Sequence, residues 1–329
     1  MDKKRVIAIV AGGDSSENPV SLRSAATLLE NMDRKRYEPY ILEIEGKRWE
    51  VHLEDGSRAV VDRNDFGFIH DGQKTVFDYA YITIHGTPGE NGVFEGYLRL
   101  MRIPFSTCDV LASALTFNKF VLNKTMKSCK VNVANSRRLR KGDPIDPDKI
   151  IRKVGLPCFI KPTDGGSSFG TTKVRTREQI IPAVEEAFKE NSEIMIESFM
   201  QGTEVTNGYY KTRRREVKLP VTEVVPKSDF FDYDAKYNGK VEEITPARIP
   251  DGLRDRIQDL TARIYDLIGC HGIIRNDYII TDGDKINLLE VNTTPGMTAT
   301  SFIPQQIRAA GMNLTDVLTE IIEDSFQTD

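Results

Sequence analysis

Short apolar runs alternate along the chain with glycine-bearing turns and with stretches whose apolar residues recur every three or four positions. Arg5 to Val10 is an apolar run ending at Ala11-Gly12-Gly13, which predicts a buried parallel strand and a turn. After the loop Asp14-Ser15-Ser16-Glu17, Asn18 reads as an N-cap and Pro19 as the first residue of a helix lined by Leu22, Ala25, Ala26, Leu29 and Met32. Strand, glycine turn and helix open an α/β unit. Tyr81 to Ile84 is a second buried strand whose C-terminal end delivers His85-Gly86.

From Leu111 towards Lys127 the pattern is helical, whereas Arg138 to Lys153, with Pro144, Pro147 and many charges, reads as a surface connection. Cys158 to Pro162 is a strand closed by proline and followed by the loop Thr163 to Gly170. Thr176 and Gln179 match a capping box, and Pro182 requires a kink or a later start in the helix they open. Glu193 to Phe199 is another strand, and Arg256 to Ile268 is an amphipathic helix with Gly269 as its C′ residue. Ile273 to Ile280 and Lys285 to Asn292 are strands joined through Asp282-Gly283, a hairpin signal. Leu314, Val317, Leu318, Ile321 and Ile322 line a last helix.

Composition narrows the class. The 329 residues, 39% of them hydrophobic, exceed one simple core and predict two or three domains. A net charge of −4 argues against a general polyanion binder, so no nucleic-acid partner is expected and anionic ligands must be held by local cations. No apolar run approaches the roughly 20 residues that span a bilayer. Cys108, Cys129, Cys158 and Cys270 form no CxxC pair and read as free thiols of a cytoplasmic protein.

The hairpin carries the strongest chemistry. Alternate strand residues share a face, so Arg275 lies with Asp277 and Glu290 with Asn292. If both pairs face one side, Asp277, Glu290 and Asn292 form a cluster of hard oxygen ligands suited to Mg²⁺ or Mn²⁺ on nucleotide phosphates. The alternative is a solvated face with a cross-strand salt bridge. Lys161 ends an apolar strand beside Asp164 to Gly170, where glycines allow backbone N–H groups to approach phosphate oxygens and serines add donors. His85 sits where open α/β sheets bind ligands. Glu17 fits a helix cap and a partner for a substrate ammonium equally well. The run Lys211, Arg213, Arg214, Arg215 lacks interleaved aromatics and reads as a solvated hairpin turn; Val10-Ala11-Gly12-Gly13 lacks the full dinucleotide fingerprint.

Taken together, several segments resemble the D-alanine–D-alanine ligases of the ATP-grasp superfamily along essentially the whole chain. They are Ser21-Leu22 after Glu17; His85-Gly86 through Glu90-Asn91-Gly92; Lys161-Pro162 with Gly166-Ser167-Ser168; Asp232-Tyr233 with Ala235-Lys236-Tyr237; and Leu289-Glu290-Val291-Asn292 through Thr298. The resemblance implies an α/β protein, α+β in its ATP-grasp part, of three domains. These are a parallel-sheet, Rossmann-like domain at 1–108 with the first D-alanine site, a nucleotide lid at 109–197, and a domain at 198–329 with the metals and second D-alanine. It also implies a homodimer, and a reaction that makes peptidoglycan precursor from ATP and two D-alanines with two Mg²⁺ or Mn²⁺ ions.

The implied roles follow by position. Lys119 and Lys161 hold phosphates, with Ser167 and Ser168 in the phosphate loop. Glu197, Ser198, Phe199 and Met200 line the adenine pocket, and Glu204 takes the ribose. Asp277, Glu290 and Asn292 bind the metals. Glu17, with His85 nearby, anchors the first D-alanine, while Arg275 and the Gly296 N–H face the oxyanion. Ser301 and Phe302 lie against the second D-alanine. Lys236 and Tyr237 belong to a closing loop, with Tyr237 linked to Ser167. The chain departs from the usual pattern at Ser198 for a lysine, Glu95 for a glutamine, Pro19 for an acidic residue and Asn276 for an apolar one. Relatives that make D-alanyl-D-lactate, and an ATP-grasp scaffold without activity, are the alternatives. Tyr237 favours an amine nucleophile over the first, and retention of Arg275 with the three metal ligands argues against the second.

Overall fold

A computed structural model describes residues 3–165, 170–226 and 241–326. Lys236, Tyr237, Ser167 and Ser168 lie outside the described residues. Three sheets organise the rest.

The first sheet grows from β1 (Arg5–Gly12), which pairs in parallel with β2 (Tyr37–Glu45) and β7 (Tyr79–Ile82). Among the described residues only these strands pair in parallel. The sheet continues from β2 as an antiparallel meander through β3 (Arg48–His52), β4 (Arg58–Asp62), β5 (Gly67–His70) and β6 (Gln73–Val76). The expected parallel sheet is therefore mixed. In the meander only β4 alternates buried and exposed residues along its length, and the four strands are far more exposed than β1. Helix α1 (Asn18–Asn31) begins one residue earlier than its proline suggested. Glu17 occupies the N-cap, and the Asn18 side chain donates to the Gly13 carbonyl instead of capping. Helix α2 (Val93–Met101) follows the His85 loop.

Asn118 breaks the next helical stretch into α3 (Val110–Phe117) and α4 (Lys119–Ser128), and its side chain caps the second. The expected surface connection is ordered. It holds β8 (Ser136–Arg140) and α5 (Pro147–Val154), with Pro147 in the first turn, where no N–H is needed. The second sheet has the order β10-β9-β11-β8, with β9 (Cys158–Pro162), β10 (Thr172–Val174) and β11 (Glu193–Ser198). Its capping box forms and opens a 3-10 turn. The helix α6 (Ile180–Glu190) starts after it, so Pro182 falls in the first turn.

The third sheet, order β14-β13-β12-β15-β16, contains β12 (Thr203–Lys211), β13 (Glu216–Pro226), β14 (Val241–Ile244), β15 (Ile273–Thr281) and β16 (Lys285–Asn292). Lys211 to Arg215 is the β12–β13 turn, as expected. Helix α7 (Asp251–Ile268) covers this sheet, and α8 (Phe302–Ala309) and α9 (Leu314–Asp324) complete the fold. Ala112, Leu122 and Met126 of α3 and α4 join the core between this sheet and α7 rather than that of the second sheet. One apolar core includes Ile7, Leu28, Ile303, Ile307 and Ile321, so the first and third sheets are packed as one body. No described helix is long and apolar enough to cross a membrane.

Candidate active site

Two ends of the chain meet at the site because small hydroxyls staple them. The Ser15 hydroxyl receives the Glu17 N–H at 3.2 Å and donates to the His85 carbonyl at 3.0 Å. This fixes the start of α1 beside the loop after β7. Thr294 reaches across to the Ile84 carbonyl at 3.2 Å, and the Met297 N–H donates to the Ser24 hydroxyl at 3.2 Å. Glu17, His85 and the segment around Gly296 are thereby brought together.

The β15–β16 hairpin supplies the charged face. Arg275 lies opposite Asn292, and Asp277 opposite Glu290. Arg275 donates from Nε and Nη2 to the two Asp277 oxygens at 2.9 and 2.8 Å, and its Nη2 lies 3.9 Å from Glu290. The Thr206 hydroxyl donates to Asp277 Oδ1 at 2.6 Å, and Asn292 Nδ2 to Oδ2 at 3.2 Å. Burial works against the Arg275 charge, but Asp277 and Glu290 outweigh it and hold its pKa above the usual value. Ser301 occupies the N-cap position of α8 without a capping bond from its side chain, and its hydroxyl instead shares a hydrogen bond with Thr298 at 2.7 Å. The Phe302 ring lies 5.3 Å from the Arg275 guanidinium.

The second sheet faces this hairpin with cations. Lys161 donates to Glu197 at 2.5 Å across neighbouring strands, and both side chains are largely buried. Lys119, first residue of α4, donates from its side chain to the Gly165 carbonyl, and its N–H donates to Thr163 at 2.9 Å. Burial pushes the Lys119 pKa down. Glu290 and Glu90 oppose that shift and Lys161 adds to it, which places all four in one electrostatic neighbourhood.

The residues expected to line an adenine pocket are only partly together. Glu197 shares a face with Lys161, whereas Ser198 spends its hydroxyl on the Val154 carbonyl at 2.7 Å. Phe199 lies under Lys173, whose ammonium is 3.5 Å from the ring centroid. Met200 is half-buried beyond the end of β11, and Glu204 sits at the start of β12 opposite Ile279.

Two residues escaped the sequence reading. Glu90 appeared in a motif without a role. Its carboxylate accepts the Gly86 N–H at 2.9 Å, and burial, opposed by that bond and reinforced by Glu17 and Glu290, raises its pKa to about 7. Thr206 carried no signal, since a threonine in a β-strand is ordinary.

The donor set fits a hard divalent cation that arrives with phosphate oxygens. Among the described residues no three His, Cys, Asp or Glu side chains could hold a metal alone. Two carboxylates and an amide require further oxygens from a nucleotide or water, as Mg²⁺ sites do. Asp277 already accepts four hydrogen bonds. A cation there would take the place of the Asn292 N–H, the longest of the four.

Comparison with known proteins decides the family. Models described as D-ala D-ala ligase N-terminus and D-ala D-ala ligase C-terminus match residues 6–108 and 125–323. The chain belongs to the D-alanine–D-alanine ligase family. It is 61% identical over 323 residues to the D-alanine–D-alanine ligase of Phocaeicola vulgatus, covering 98% of this chain and all of the relative. The corresponding ligase of Bacteroides fragilis is 62% identical over the same length and coverage. Among solved structures, the VanG D-Ala:D-Ser ligase of Enterococcus faecalis superposes with a TM-score of 0.87 at 29% identity, covering 98% of this chain and 100% of the other. The D-alanyl-alanine synthetase A of Vibrio cholerae gives 0.88 at 26% identity, covering 99% and 100%. The fold is that of the ATP-grasp ligases.

Proposed function

We propose that this protein joins two D-alanines into D-alanyl-D-alanine for peptidoglycan precursor synthesis, with ATP converted to ADP and phosphate. The observation that supports this most is the single face formed by Arg275, Asp277, Glu290 and Asn292 opposite Lys119 and Lys161, in a chain of this family. A carboxylate is a poor electrophile. Transfer of the γ-phosphoryl group to the first D-alanine makes a mixed anhydride. The amine of the second then attacks the carbonyl, phosphate leaves, and the amine gives up its proton to solvent or a site base.

In this reading each step has its own groups. Lys119 and Lys161 neutralise phosphate charge, and Glu197 to Met200 with Glu204 orient the nucleoside. Asp277, Glu290 and Asn292 would hold Mg²⁺ or Mn²⁺, which supplies charge neutralisation to the phosphoryl groups. Glu17, with His85, receives the first ammonium. Arg275 and the Gly296 N–H stabilise the oxyanion of the tetrahedral intermediate, while Ser301 and Phe302 position the second D-alanine. Ser167 and Ser168 donate to the nucleotide phosphates, and Lys236 and Tyr237, on a loop that closes over the site with Tyr237 linked to Ser167, exclude water, which would hydrolyse the anhydride. We divide the work between residues 1–108 for the first D-alanine, 109–197 for the nucleotide, and 198–329 for metals and second D-alanine.

The protein functions as a cytoplasmic homodimer in this reading. The exposed Val93 and Leu100 on α2 and Leu111 on α3 supply an apolar surface for a second copy. Light scattering across a concentration series tests that, a monomer throughout being the contrary result.

ADP release measured with D-alanine alone, and with D-alanine plus D-lactate, across pH tests the activity. We expect turnover with D-alanine alone. A larger ester yield with D-lactate near neutral pH would shift the assignment to a depsipeptide ligase, and ATP binding without D-alanine-dependent turnover would reject ligation.

A further inference from the structure

The Asp277 carboxylate is held by a buried relay that reaches it from a different strand and a different helix. Thr206 on β12 pairs with Asp277 on β15 and donates its hydroxyl to Oδ1 at 2.6 Å; the residue is 1% exposed. Directly beside it, β12 slips register against β13 between Asn207 and Tyr209. The amide of Gln306 on α8, fully buried, fills the break. Its Oε1 accepts the Gly208 N–H at 2.8 Å, and its Nε2 donates to the Thr206 carbonyl at 3.1 Å and the Thr222 hydroxyl at 3.0 Å.

A buried glutamine whose donor and acceptor atoms are both satisfied by one strand fixes that strand rigidly. Gly208 leaves room for it, since a Cβ there would come 2.6 Å from Gln306 Oε1. The same helix begins at Ser301-Phe302. The relay therefore links the elements proposed to hold the second D-alanine and the metal.

We propose that Thr206 and Gln306 are positioning residues that set the orientation of the Asp277 carboxylate for a divalent cation, Thr206 by its hydroxyl and Gln306 by holding the strand that carries it. This rests on the reading of Asp277 as a metal ligand. The Arg275 fork holds the carboxylate plane but engages both oxygens alike, so it does not choose between them. Thr206 adds a donor from another strand, which leaves Oδ1 committed and directs exchange to Oδ2. Removing such an outer partner typically weakens a metal site about 10- to 100-fold.

The test is a Mn²⁺ titration of the full chain, followed by electron paramagnetic resonance in the presence of a non-hydrolysable ATP analogue. The variants are Thr206→Val, which keeps shape without the donor, and Thr206→Ser, which restores the donor. We expect Thr206→Val to raise the Mn²⁺ half-saturation about 10-fold. Thr206→Ser should stay near wild type, and the KM for D-alanine at saturating metal should change little. Gln306→Met should shift the same constant in the same direction. Should Thr206→Val fail to fold, Thr206→Ala, which only opens space, carries the measurement. Wild-type Mn²⁺ affinity in the folded donor-less variant would overturn the inference while leaving the metal reading intact. No Mn²⁺ bound by the wild-type protein would overturn both.

Discussion

Arg275 clasps Asp277, two positions further along the same strand, through both prongs of its guanidinium. Same-face residues of one strand meet easily, so this pair is local in sequence. Its setting is not. Both residues are less than a tenth exposed, and Glu290, from the neighbouring strand, stands near enough to share the charge. The arrangement keeps one cation paired within the face proposed to meet the oxyanion.

Arg275→Lys is expected to lower kcat by about 100-fold or more. A lysine keeps the charge but has no fork with which to hold Asp277 and face a substrate oxygen together, and one lost oxyanion donor costs about 3 kcal/mol. Steady-state kinetics with D-alanine and ATP check this. An unchanged kcat would remove Arg275 from the chemistry.

Lys161 and Glu197 form a largely buried ion pair, so structure and function can be separated there. Lys161→Met alone strands a carboxylate and should destabilise the fold by about 3 kcal/mol. Combining it with Glu197→Gln should recover most of that loss while the KM for ATP stays high. Thermal unfolding and ATP kinetics on the single and double variants report the two effects. Recovery of ATP affinity in the double variant would mean that Lys161 serves only its partner.

Glu95 on α2 is fully buried, and burial raises its pKa from 4.5 to about 8, against weaker opposition from backbone amides and Ser113. The folded protein thus keeps this proton up to about pH 8, whereas the unfolded chain releases it near 4.5. Between those values the unfolded state binds fewer protons, so this group makes stability fall as pH rises. Glu95→Gln lacks that dependence. Its advantage over wild type should be small at pH 4.5 and grow to a few kcal/mol, on the order of 3, above pH 8. Denaturant unfolding at pH 5 and pH 8.5 decides, and parallel pH slopes for the two proteins would refute the assignment.

Gly272 joins the start of β15 to the first sheet's following loop. It has φ +64, and a Cβ would lie 1.8 Å from the Ser106 carbonyl oxygen. No flexible side chain can yield there, because the obstacle is backbone. Gly272→Ala should cost at least about 3 kcal/mol of stability. A melting temperature within a degree or two of wild type would contradict that packing.

Legibility followed local physics. The strand from Cys158 to Pro162 and the Thr176–Gln179 cap emerged as read, because an apolar run ended by proline and a reciprocal capping pattern are decided by near neighbours. The elements β8 and α5 were missed for the opposite reason. Ser136 to Arg140 is an edge strand with two of five residues buried, and α5 hides Ile150 and Val154 among charges. Their order comes from packing on β11, which no local pattern announces. Glu90 was visible as a letter in a motif. Its unusual proton affinity was not, since that depends first on burial in the folded chain and then on Glu17 and Glu290 arriving from distant parts of it.

By itself, the sequence determined that two apolar strands carry Arg275, Asp277, Glu290 and Asn292 around a turn at Asp282 and Gly283. Whether those side chains share a face was a tertiary decision. Beside the turn, Thr281 pairs with Lys285, and that register carried onward would set Glu290 opposite Asn276, on the face away from Asp277. A one-residue slip after Tyr278 leaves Leu289 without a partner and returns Glu290 to Asp277 and Asn292 to Arg275. With a side-chain period of two, a single extra residue moves everything beyond it to the other side of the sheet.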